Sequence, residues 1–303
     1  GHVGAPTRPA VNTGAPTRTA MHTGAPTRPV VVIPTWNGAT LLDACLGRLR
    51  RQTLWGDFDT LVVDNGSIDR TSDVLDRHPW AERLVLPVNV GFARAVNAGI
   101  DASSGDPVVL LNNDTEPEEG WLAALVEPLH GNGPGMATSK VLVHGRDRVI
   151  HTTGDQVSVA GMASNRGVWQ EDRGQYDEHR DVFGPSGAAG AYRRALFEDV
   201  GTFAPSFGSY MEDVDLAFRA RLAGGTGTFC PEAVVYHHVS ATGGGPRASY
   251  HVARNRTWMI VRNFPAEILR RHLRRIVAAQ AREAVAASRA LTGAAARATL
   301  RGL

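Results

Sequence analysis

The sequence predicts an α/β fold with a mostly parallel central sheet and helices on both of its faces. Short apolar runs, each suited to a strand buried on both faces, alternate in the first 130 residues with segments of helical periodicity. Each run also ends in a polar turn. Because ligands of open parallel sheets bind beyond the carboxyl ends of the strands, we expect one cleft at this edge. The runs are Val30–Ile33, Thr60–Val63, Leu84–Leu86 and Val108–Leu111.

The helices of the first half follow these strands in a β-α-β order, which favours right-handed crossovers and parallel pairing. The first strand is expected to stop at Pro34, because proline cannot donate to a sheet ladder. Ser67 or Asp69 can cap the helix that follows the second strand and ends near residue 78. The other predicted helices span residues 40–52, 92–102 and 120–129.

The second half is less regular and predicts mixed strands and helices. Residues 144–182 are polar, with short strands and loops. The acids of Glu212-Asp213-Val214-Asp215 suit the positive end of a helix dipole, so a helix is expected to begin there. The predicted strands are residues 137–143, 227–230 and 233–236, and the predicted helices are residues 193–200, 212–223, 249–262 and a region after Pro265.

Composition excludes several classes of protein. The chain of 303 residues has a net charge of +2. Residues 1–29 carry +3 and residues 264–303 carry +6, so residues 30–263 have a net charge of −7. Such an acidic body lacks the basic patch of a nucleic-acid binder. Cys45 and Cys230 lie far apart in apolar runs, which predicts buried free thiols in a reducing compartment. The sequence contains no run of 18 apolar residues, so it predicts no membrane span.

The first 29 residues form a repeat tail. A Gly-Ala-Pro-Thr-Arg unit recurs three times with a ten-residue period. Gly, Pro and Thr dominate, so the segment cannot bury a core of its own. We expect an extended or loosely docked tail that carries no chemistry.

Three common catalytic motifs are absent from the first half. The first strand is followed by Pro-Thr-Trp-Asn-Gly and not by the Gly-x-Gly-x-x-Gly turn of dinucleotide folds. No Gly-Lys-Ser/Thr phosphate loop is present, which excludes a P-loop ATPase. No Gly-x-Ser-x-Gly elbow follows a strand, which argues against an α/β-hydrolase.

Carboxylates at two strand ends indicate a nucleotide pocket. Asp64 follows the second strand and can accept a hydrogen bond from a pyrimidine N–H. Asp114 follows the fourth strand and can hold a cation that neutralises charge on a departing phosphate. Taken alone, the stretch that contains Asp114 also fits a plain Asn/Asp turn after a strand.

Two later motifs add candidate groups. Glu212 and Asp213 offer a carboxylate to take a proton from an acceptor hydroxyl, and their mutual repulsion tends to raise one pKa. Helix-start charge without catalytic duty is the alternative. His237 and His238 end a strand, and alternation points them to opposite faces, so only one can enter the cleft. Both also fit ordinary surface residues at a strand end.

Five motifs, in this order along the chain, closely resemble those of family 2 inverting glycosyltransferases. The similarity spans residues 30–265, and five motifs in order are far more specific than any one of them. More narrowly, the chain resembles the bacterial rhamnosyltransferase-like branch. The motifs are Val31–Gly38, Val62–Asp69, Asn89–Ala93, Leu111–Asp114 and Met211–Asp215.

The resemblance implies a single GT-A domain over residues 30–265. Residues 30–130 are then the nucleotide-binding half and residues 131–265 the acceptor half. It also implies a nucleotide-diphosphate sugar as the donor, in which the sugar is linked to dTDP or UDP. A divalent metal and inversion at the anomeric carbon are implied as well. The implied donor-binding residues are Pro34, Thr35, Asn37, Asp64, Asn89, Ala93, Asn113, Asp114 and Arg254.

The remaining roles are carried over in the same way. Asp213 is implied as the general base, with Glu212 and Gly187 as acceptor-binding residues. Asp114 and His237 are implied as metal ligands, with His238 as the alternative histidine.

One position departs from the family pattern. The metal motif is often Asp-x-Asp, and Asn112 stands at its first position. The missing charge weakens the expected affinity for a metal, for which we expect Mg²⁺ or Mn²⁺.

The last 38 residues, 266–303, predict a basic amphipathic helical tail. Such a helix can lie on an anionic membrane surface, which suits a lipid-linked acceptor at the inner face of the cell membrane. Packing on the body and pairing in a homodimer are the alternatives. Its apolar stripe is Ile268, Leu269, Leu273, Ile276 and Val277, beside Arg270, Arg271, Arg274 and Arg275.

The sequence and the resemblance together predict a cytoplasmic inverting glycosyltransferase that moves a sugar, with rhamnose as the first candidate, to a hydroxyl of a glycan or lipid-linked glycan. A sugar nucleotidyltransferase is one alternative, although it favours a Gly-rich phosphate turn that this chain lacks. A non-catalytic sugar-binding relic of the fold is the other.

Overall fold

The computed structural model describes residues 28–131, 133, 135–239, 245–289 and 293–303. Residues 1–27 of the repeat tail lie outside this part of the chain, so the expectation for them stays a prediction. The first half contains strands β1 (Val30–Thr35), β2 (Asp59–Asp64), β3 (Glu82–Val85), β4 (Val108–Leu111) and β5 (Thr115–Pro117), and helices α1 (Ala39–Leu49), α2 (Thr71–Arg77), α3 (Phe92–Ala102) and α4 (Trp121–Val126).

The second half is mixed, as predicted. Its strands are β6 (Met136–Val143), β7 (Arg146–Thr152), β8 (Asp155–Val157), β9 (Ala163–Asn165), β10 (Asp181–Val182), β11 (Ala189–Tyr192) and β12 (Gly227–His237). Its helices are α5 (Arg194–Val200), α6 (Glu212–Leu222), α7 (Gly245–Asn263), α8 (Ala266–Arg289) and α9 (Ala294–Gly302).

Eight strands form the path β10-β12-β6-β11-β4-β1-β2-β3 of the main sheet, with β5 paired to β12 and β7 paired to β6. The strands from β4 to β3 are parallel, as the β-α order predicts. Strand β11 runs antiparallel between β4 and β6, while β12 pairs parallel with β6. The carboxyl ends of β1, β4 and β12 therefore lie at the same edge of the sheet.

Pro34 does not end the first strand, contrary to the sequence prediction. The Val30 amide donates to the Pro107 carbonyl, so the backbone N–H groups of even-numbered residues of β1 point toward β4. Pairing with β4 ends at Val32, and the N–H that proline lacks has no partner strand to reach. The strand continues to Thr35 through its pairing with β2.

Residues 227–230 and 233–236, predicted as two strands, form one. The register of β12 against β6 shifts between Cys230 and Val234, at a β-bulge that contains Pro231. Proline fits there because a bulge interrupts the ladder, and the strand then runs on through His237.

Both faces of the sheet are covered by helices. Side chains of β1, β2 and β4 alternate between a core beneath α1, α2 and α4 and a second core beneath α3, α5 and α6. Cys45 and Cys230 are buried free thiols, as predicted. A third core joins the start of α6 to α7 and α8. Among the described residues, none of the helices has the length and hydrophobicity needed to cross a bilayer.

Candidate active site

A cavity of about 840 Å³ opens at the carboxyl ends of β1 and β4, a size typical of ligand sites. It brings together eight of the sequence-predicted site residues: Pro34, Thr35, Asn89, Asn113, Gly187, Glu212, Asp213 and His237. Asn37, Asp64, Ala93, Asp114 and Arg254 are not among the lining residues. Pro34 and His237, about 200 positions apart in the sequence, therefore line one cavity.

Asp114 lies directly behind this lining, at the exit of β4. Its carboxylate is almost fully buried, and Oδ1 is 3.1 Å from Nε2 of His237. The His238 amide donates to the Asp114 carbonyl, which ties the end of β12 to the β4 exit. Sheet pairing between β5 and β12 fixes the same approach, since His237 pairs with Thr115.

This pair fits a hard divalent cation. Octahedral Mg²⁺ takes ligands at about 2.1 Å, which places neighbouring ligand atoms roughly 3.0 Å apart. The 3.1 Å between Asp114 Oδ1 and His237 Nε2 is close to that separation. Asn112 lines the cavity beside them, although a carboxamide supplies no charge. The residues present therefore suit a metal held by one carboxylate, one imidazole and a substrate's own oxygens.

His151, which the sequence reasoning missed, extends this polar chain. Its Nδ1 lies 3.1 Å from Nδ1 of His237, and it lines the cavity. Burial and the neighbouring His237 lower the pKa of His151 to about 4, so its imidazole is neutral at pH 7. A neutral ring can accept or donate one hydrogen bond to His237 and fix that ring's orientation.

The start of α6 is held in an uncommon backbone conformation. Tyr210 and Met211, just before Glu212, both have φ of 70°, the left-handed region that non-glycine residues seldom adopt. Asn255 of α7 is fully buried and donates from Nδ2 to the carbonyls of Tyr210, Ser209 and Phe207 at 2.7–3.0 Å. This clamp offsets the local strain and aims the acids of α6 at the cavity.

The carboxylate of Asp213 is oriented by two backbone amides. Gly187 donates to Oδ2 and Val214 donates to Oδ1, each at 2.8 Å. A Cβ at Gly187 would lie 3.1 Å from Oδ2, so a side chain there would crowd the carboxylate. Burial raises the pKa of Asp213, and the two amide hydrogen bonds oppose that rise. The arrangement leaves a fixed basic group facing the cavity.

Two further acids line the same wall of the cavity. Glu212 and Asp155 are both buried, and burial together with the charge of Asp213 raises the pKa of each well above its ordinary value. Asp155 is a second residue that the sequence reasoning missed, because it lies in a polar stretch without a recognisable motif.

On the opposite wall, amide side chains connect the strand ends. Asn113 donates to Oγ1 of Thr35 at 2.8 Å, in a buried contact. Asn65 donates to Oδ1 of Asn89 and accepts from the Val90 amide, so it joins β2 to the turn before α3. These contacts preorganise the side of the cavity that β1 and β2 supply.

The other donor residues predicted from the first three motifs do not line the cavity, and Asn37 is exposed. Asp64 is buried at the end of β2 and accepts from the Ser67 amide. Asn37 accepts from the Ile68 amide. Ala93 is packed in the core beneath α3. Their donor-binding roles stay predictions.

Arg254 makes contacts inside the protein. Its guanidinium donates to the carbonyls of Ser206 and Phe207 and lies 4.9 Å from the ring centroid of Trp258. Among the described residues, Arg247 is the arginine that lines the cavity, about two turns earlier on α7. The sequence around Arg247 carries no distinctive motif, so only the fold shows that this residue lines the cavity.

A separate cluster lies beside the β12 end. Glu116, His144 and His238 place three potential ligand atoms within 4.8 Å of one another and could hold a metal ion. The carboxylate of Glu116 also pairs with Arg48 at 3.0 Å. His237 and His238 thus contact different neighbours, as strand alternation predicts.

A model of glycosyl transferase family 2 matches residues 30–201, more than half of the chain. The chain belongs to glycosyl transferase family 2. It is a glycosyltransferase of GT-A fold, and the resemblance noted in the sequence is confirmed at the level of family, fold and enzyme class.

Relatives of known name are distant. The chain is 28% identical, over 225 residues, to the N-acetylglucosaminyl-diphospho-decaprenol L-rhamnosyltransferase of Mycobacterium tuberculosis, a match that covers 66% of this chain and 73% of the relative. It is also 28% identical to the uncharacterized protein y4gI of Sinorhizobium fredii, covering 71% of this chain but only 25% of that protein. The chain thus spans about a quarter of one relative and three quarters of the other.

Solved structures share the fold at lower identity. The mannosyltransferase PcManGT of Pyrobaculum calidifontis, in complex with GDP-Man and Mn²⁺, superposes with a TM-score of 0.60 at 21% identity, covering 87% of this chain and 76% of that one. GalNAc-T7 with UDP, GalNAc and Mn²⁺ gives a TM-score of 0.64 at 16% identity, covering 78% and 48%.

Proposed function

We propose that this enzyme transfers a sugar, with rhamnose as the first candidate, from a dTDP- or UDP-linked donor to a hydroxyl of a glycan or lipid-linked glycan, with inversion at the anomeric carbon. The observation that carries the proposal is the single cavity that joins the amide-rich strand ends, His237 and Asp213. The distant rhamnosyltransferase relative supports the choice of sugar and of a lipid-diphosphate-linked acceptor.

In this proposal Asp213 is the general base. Its carboxylate accepts the proton of the acceptor hydroxyl as that oxygen forms a bond to the anomeric carbon. The bond from the anomeric carbon to the diphosphate oxygen breaks at the same time, and the nucleoside diphosphate departs. The amides of Gly187 and Val214 each donate to one oxygen of this carboxylate and orient it, and each oxygen keeps a second lone pair that can accept a proton.

Asp114 and His237 would hold Mg²⁺ or Mn²⁺ on the donor side of the cavity. When bound, such an ion neutralises charge on the leaving diphosphate. Structural neighbours in complex with Mn²⁺ support this assignment. Thr35, Asn89 and Asn113 border the proposed nucleoside and sugar positions. The role of Asp64, a hydrogen bond to the nucleotide base, rests on the family motif alone.

A thermal-shift panel of nucleotide sugars, with and without Mn²⁺, tests donor binding. A ligand present at 100 times its Kd stabilises the native state by about 2.7 kcal/mol, which raises Tm by several degrees. We expect dTDP-rhamnose or a UDP-sugar with Mn²⁺ to give this shift, and dTMP or UMP to give less because they lack the diphosphate. A flat response to every nucleotide sugar would contradict the proposal.

The product of turnover separates the enzyme classes. A glycosyltransferase releases nucleoside diphosphate, whereas a nucleotidyltransferase releases pyrophosphate. A protein that binds nucleotide sugars and releases neither, with acceptor present, would be a binding relic.

We also propose that α8 contacts an anionic membrane surface at the cytoplasmic face, where a lipid-linked acceptor would be presented. Part of its apolar stripe packs on the body, since Ile276 is buried and Ile268 and Leu269 contact the third core. Leu273 and Val277 remain 55% and 58% exposed. The exposed arginines that surround them on the helix are Arg270, Arg271, Arg274 and Arg275.

Vesicle binding tests this contact with substitutions that keep α8 on the body. Each basic residue near an anionic surface contributes about 1 kcal/mol, so changing all four arginines to glutamine should weaken binding to phosphatidylglycerol vesicles by roughly 10²-fold or more. Phosphatidylcholine vesicles should bind neither protein. A matched control removes the same charge elsewhere on the surface, through glutamine at Arg51, Arg70, Arg83 and Arg94.

Equal binding by the α8 variant and the control would reject a membrane role for this helix. Deleting residues 266–303 is a poorer test, because α9 packs along α7 and Glu283 pairs with Arg256.

A further inference from the structure

Asp155 is a buried carboxyl group that faces the cavity without a protein partner for one of its oxygens. Its side chain lines the cavity beside Glu212 and Asp213, and the residue is 4% exposed. Within the described part of the chain, Oδ2 of Asp155 and Oε2 of Glu212 have no hydrogen-bond partner. A buried polar atom left unpaired is costly, so these two oxygens indicate a ligand that supplies the missing bonds.

The backbone around Asp155 is held by contacts that do not involve its carboxyl group. Its amide donates to Gly184, and its carbonyl accepts from Phe183. Gly154 precedes it with φ of 113°, and a Cβ there would lie 2.9 Å from Cγ1 of Val182. The backbone position of Asp155 is therefore fixed by the fold, which supports a preorganised binding residue.

The nearest charged neighbours of Asp155 are acidic, namely Asp213 and Glu212. Arg247 also lines the cavity. No ion pair among the described residues includes Asp155, Glu212 or Asp213. Burial first, and then the charges of Asp213 and Glu212, raise the pKa of Asp155 well above its ordinary value. A carboxyl group in such a place is favoured in its neutral form, which donates one hydrogen bond and accepts others.

We propose that Asp155 is an acceptor-binding residue, which together with Glu212 holds neutral hydroxyls of the acceptor sugar next to the hydroxyl that Asp213 deprotonates. The pairing suits a sugar hydroxyl, which both donates and accepts. It disfavours a uronic acid or a phosphorylated sugar at this position, because a further negative charge would lie among three carboxyl groups. The inference rests on the proposed glycosyltransferase function and narrows its acceptor to a neutral sugar.

Two substitutions at Asp155 separate this role from a structural one. Asp155→Asn keeps the shape and both hydrogen-bonding functions, so the KM for the acceptor should stay within about threefold of wild type. Asp155→Leu keeps the branching at Cγ but removes both functions, and losing a buried hydrogen bond worth about 1–3 kcal/mol should raise the acceptor KM by roughly 10- to 100-fold. The KM for the donor should not change in either variant.

The assay uses dTDP-rhamnose with a short-chain N-acetylglucosaminyl-diphospho-lipid, and each variant is first shown to be folded by thermal denaturation. Asp155→Ala replaces Asp155→Leu if the larger side chain does not fold. A second arm compares this acceptor with its glucuronic acid counterpart, and wild type should prefer the neutral sugar at least tenfold. An unchanged acceptor KM in the apolar variant, or equal use of the acidic acceptor, overturns the inference.

Failure of the proposed function looks different. Wild-type protein that releases no nucleoside diphosphate from any nucleotide sugar, with or without acceptor, contradicts the glycosyltransferase proposal and with it the acceptor role. Wild-type transfer with an unaffected Asp155→Leu variant contradicts the acceptor role alone.

Discussion

Replacing Asp213 by asparagine should lower kcat by about 10²-fold or more while leaving donor binding intact. The carboxamide fills the same space, and its oxygen can still accept from the Gly187 amide, but it cannot take a proton from an acceptor hydroxyl. Steady-state transfer assays measure the loss, and the thermal shift given by the donor with Mn²⁺ measures binding.

A matched control for this change is Asp199→Asn, which removes the same charge from an exposed position of α5. The control should retain wild-type turnover. A kcat for Asp213→Asn within a few-fold of wild type, in a folded protein, would remove Asp213 from the role of general base and favour the binding relic.

Replacing Asp114 by asparagine should weaken Mn²⁺ binding and reduce metal-supported turnover by roughly 10²-fold or more. The substitution removes the charge of the pair that Asp114 Oδ1 forms with His237 Nε2 at 3.1 Å. The opposite change, Asn112→Asp, adds a second carboxylate at the cavity wall and should tighten Mn²⁺ binding. Free Mn²⁺ measured by electron paramagnetic resonance reports affinity independently of activity.

Asp101→Asn serves as the control, since Asp101 is exposed on α3. Its Mn²⁺ affinity should equal that of wild type. If Asp114→Asn binds Mn²⁺ as tightly as wild type, the metal site does not lie at the β4 exit, and Glu116, His144 and His238 become the cluster to test.

The first half of the chain was predictable because its information is local. Buried parallel strands require continuous apolar runs, and α3 and β4 lie at their predicted bounds. Pro34 was misjudged because whether a missing N–H matters depends on the partner strand, and pairing with β4 stops at Val32. The joining of two predicted strands into β12 depends in the same way on a bulge opposite β6.

The supporting residues of the site were harder to predict. Asn255 is one amide in a helix, and its importance comes from three carbonyls of a loop 45 to 48 positions earlier in the chain. Asp155 lies in a polar stretch where an acid is unremarkable until the fold buries it beside Glu212. In each case the meaning comes from burial and from distant partners, neither of which a local pattern records.

By itself, the sequence determined the α/β class, the family, and the motif residues around Asp114, Asp213 and His237, because hydrophobic periodicity and short motifs are properties of neighbouring positions. Only the tertiary structure decided that Asp155 joins this site, that Arg247 rather than Arg254 lines it, and that α8 packs part of its apolar stripe on the body. The physical reason is that desolvation and hydrogen-bond pairing act between groups brought together by the chain's long-range contacts.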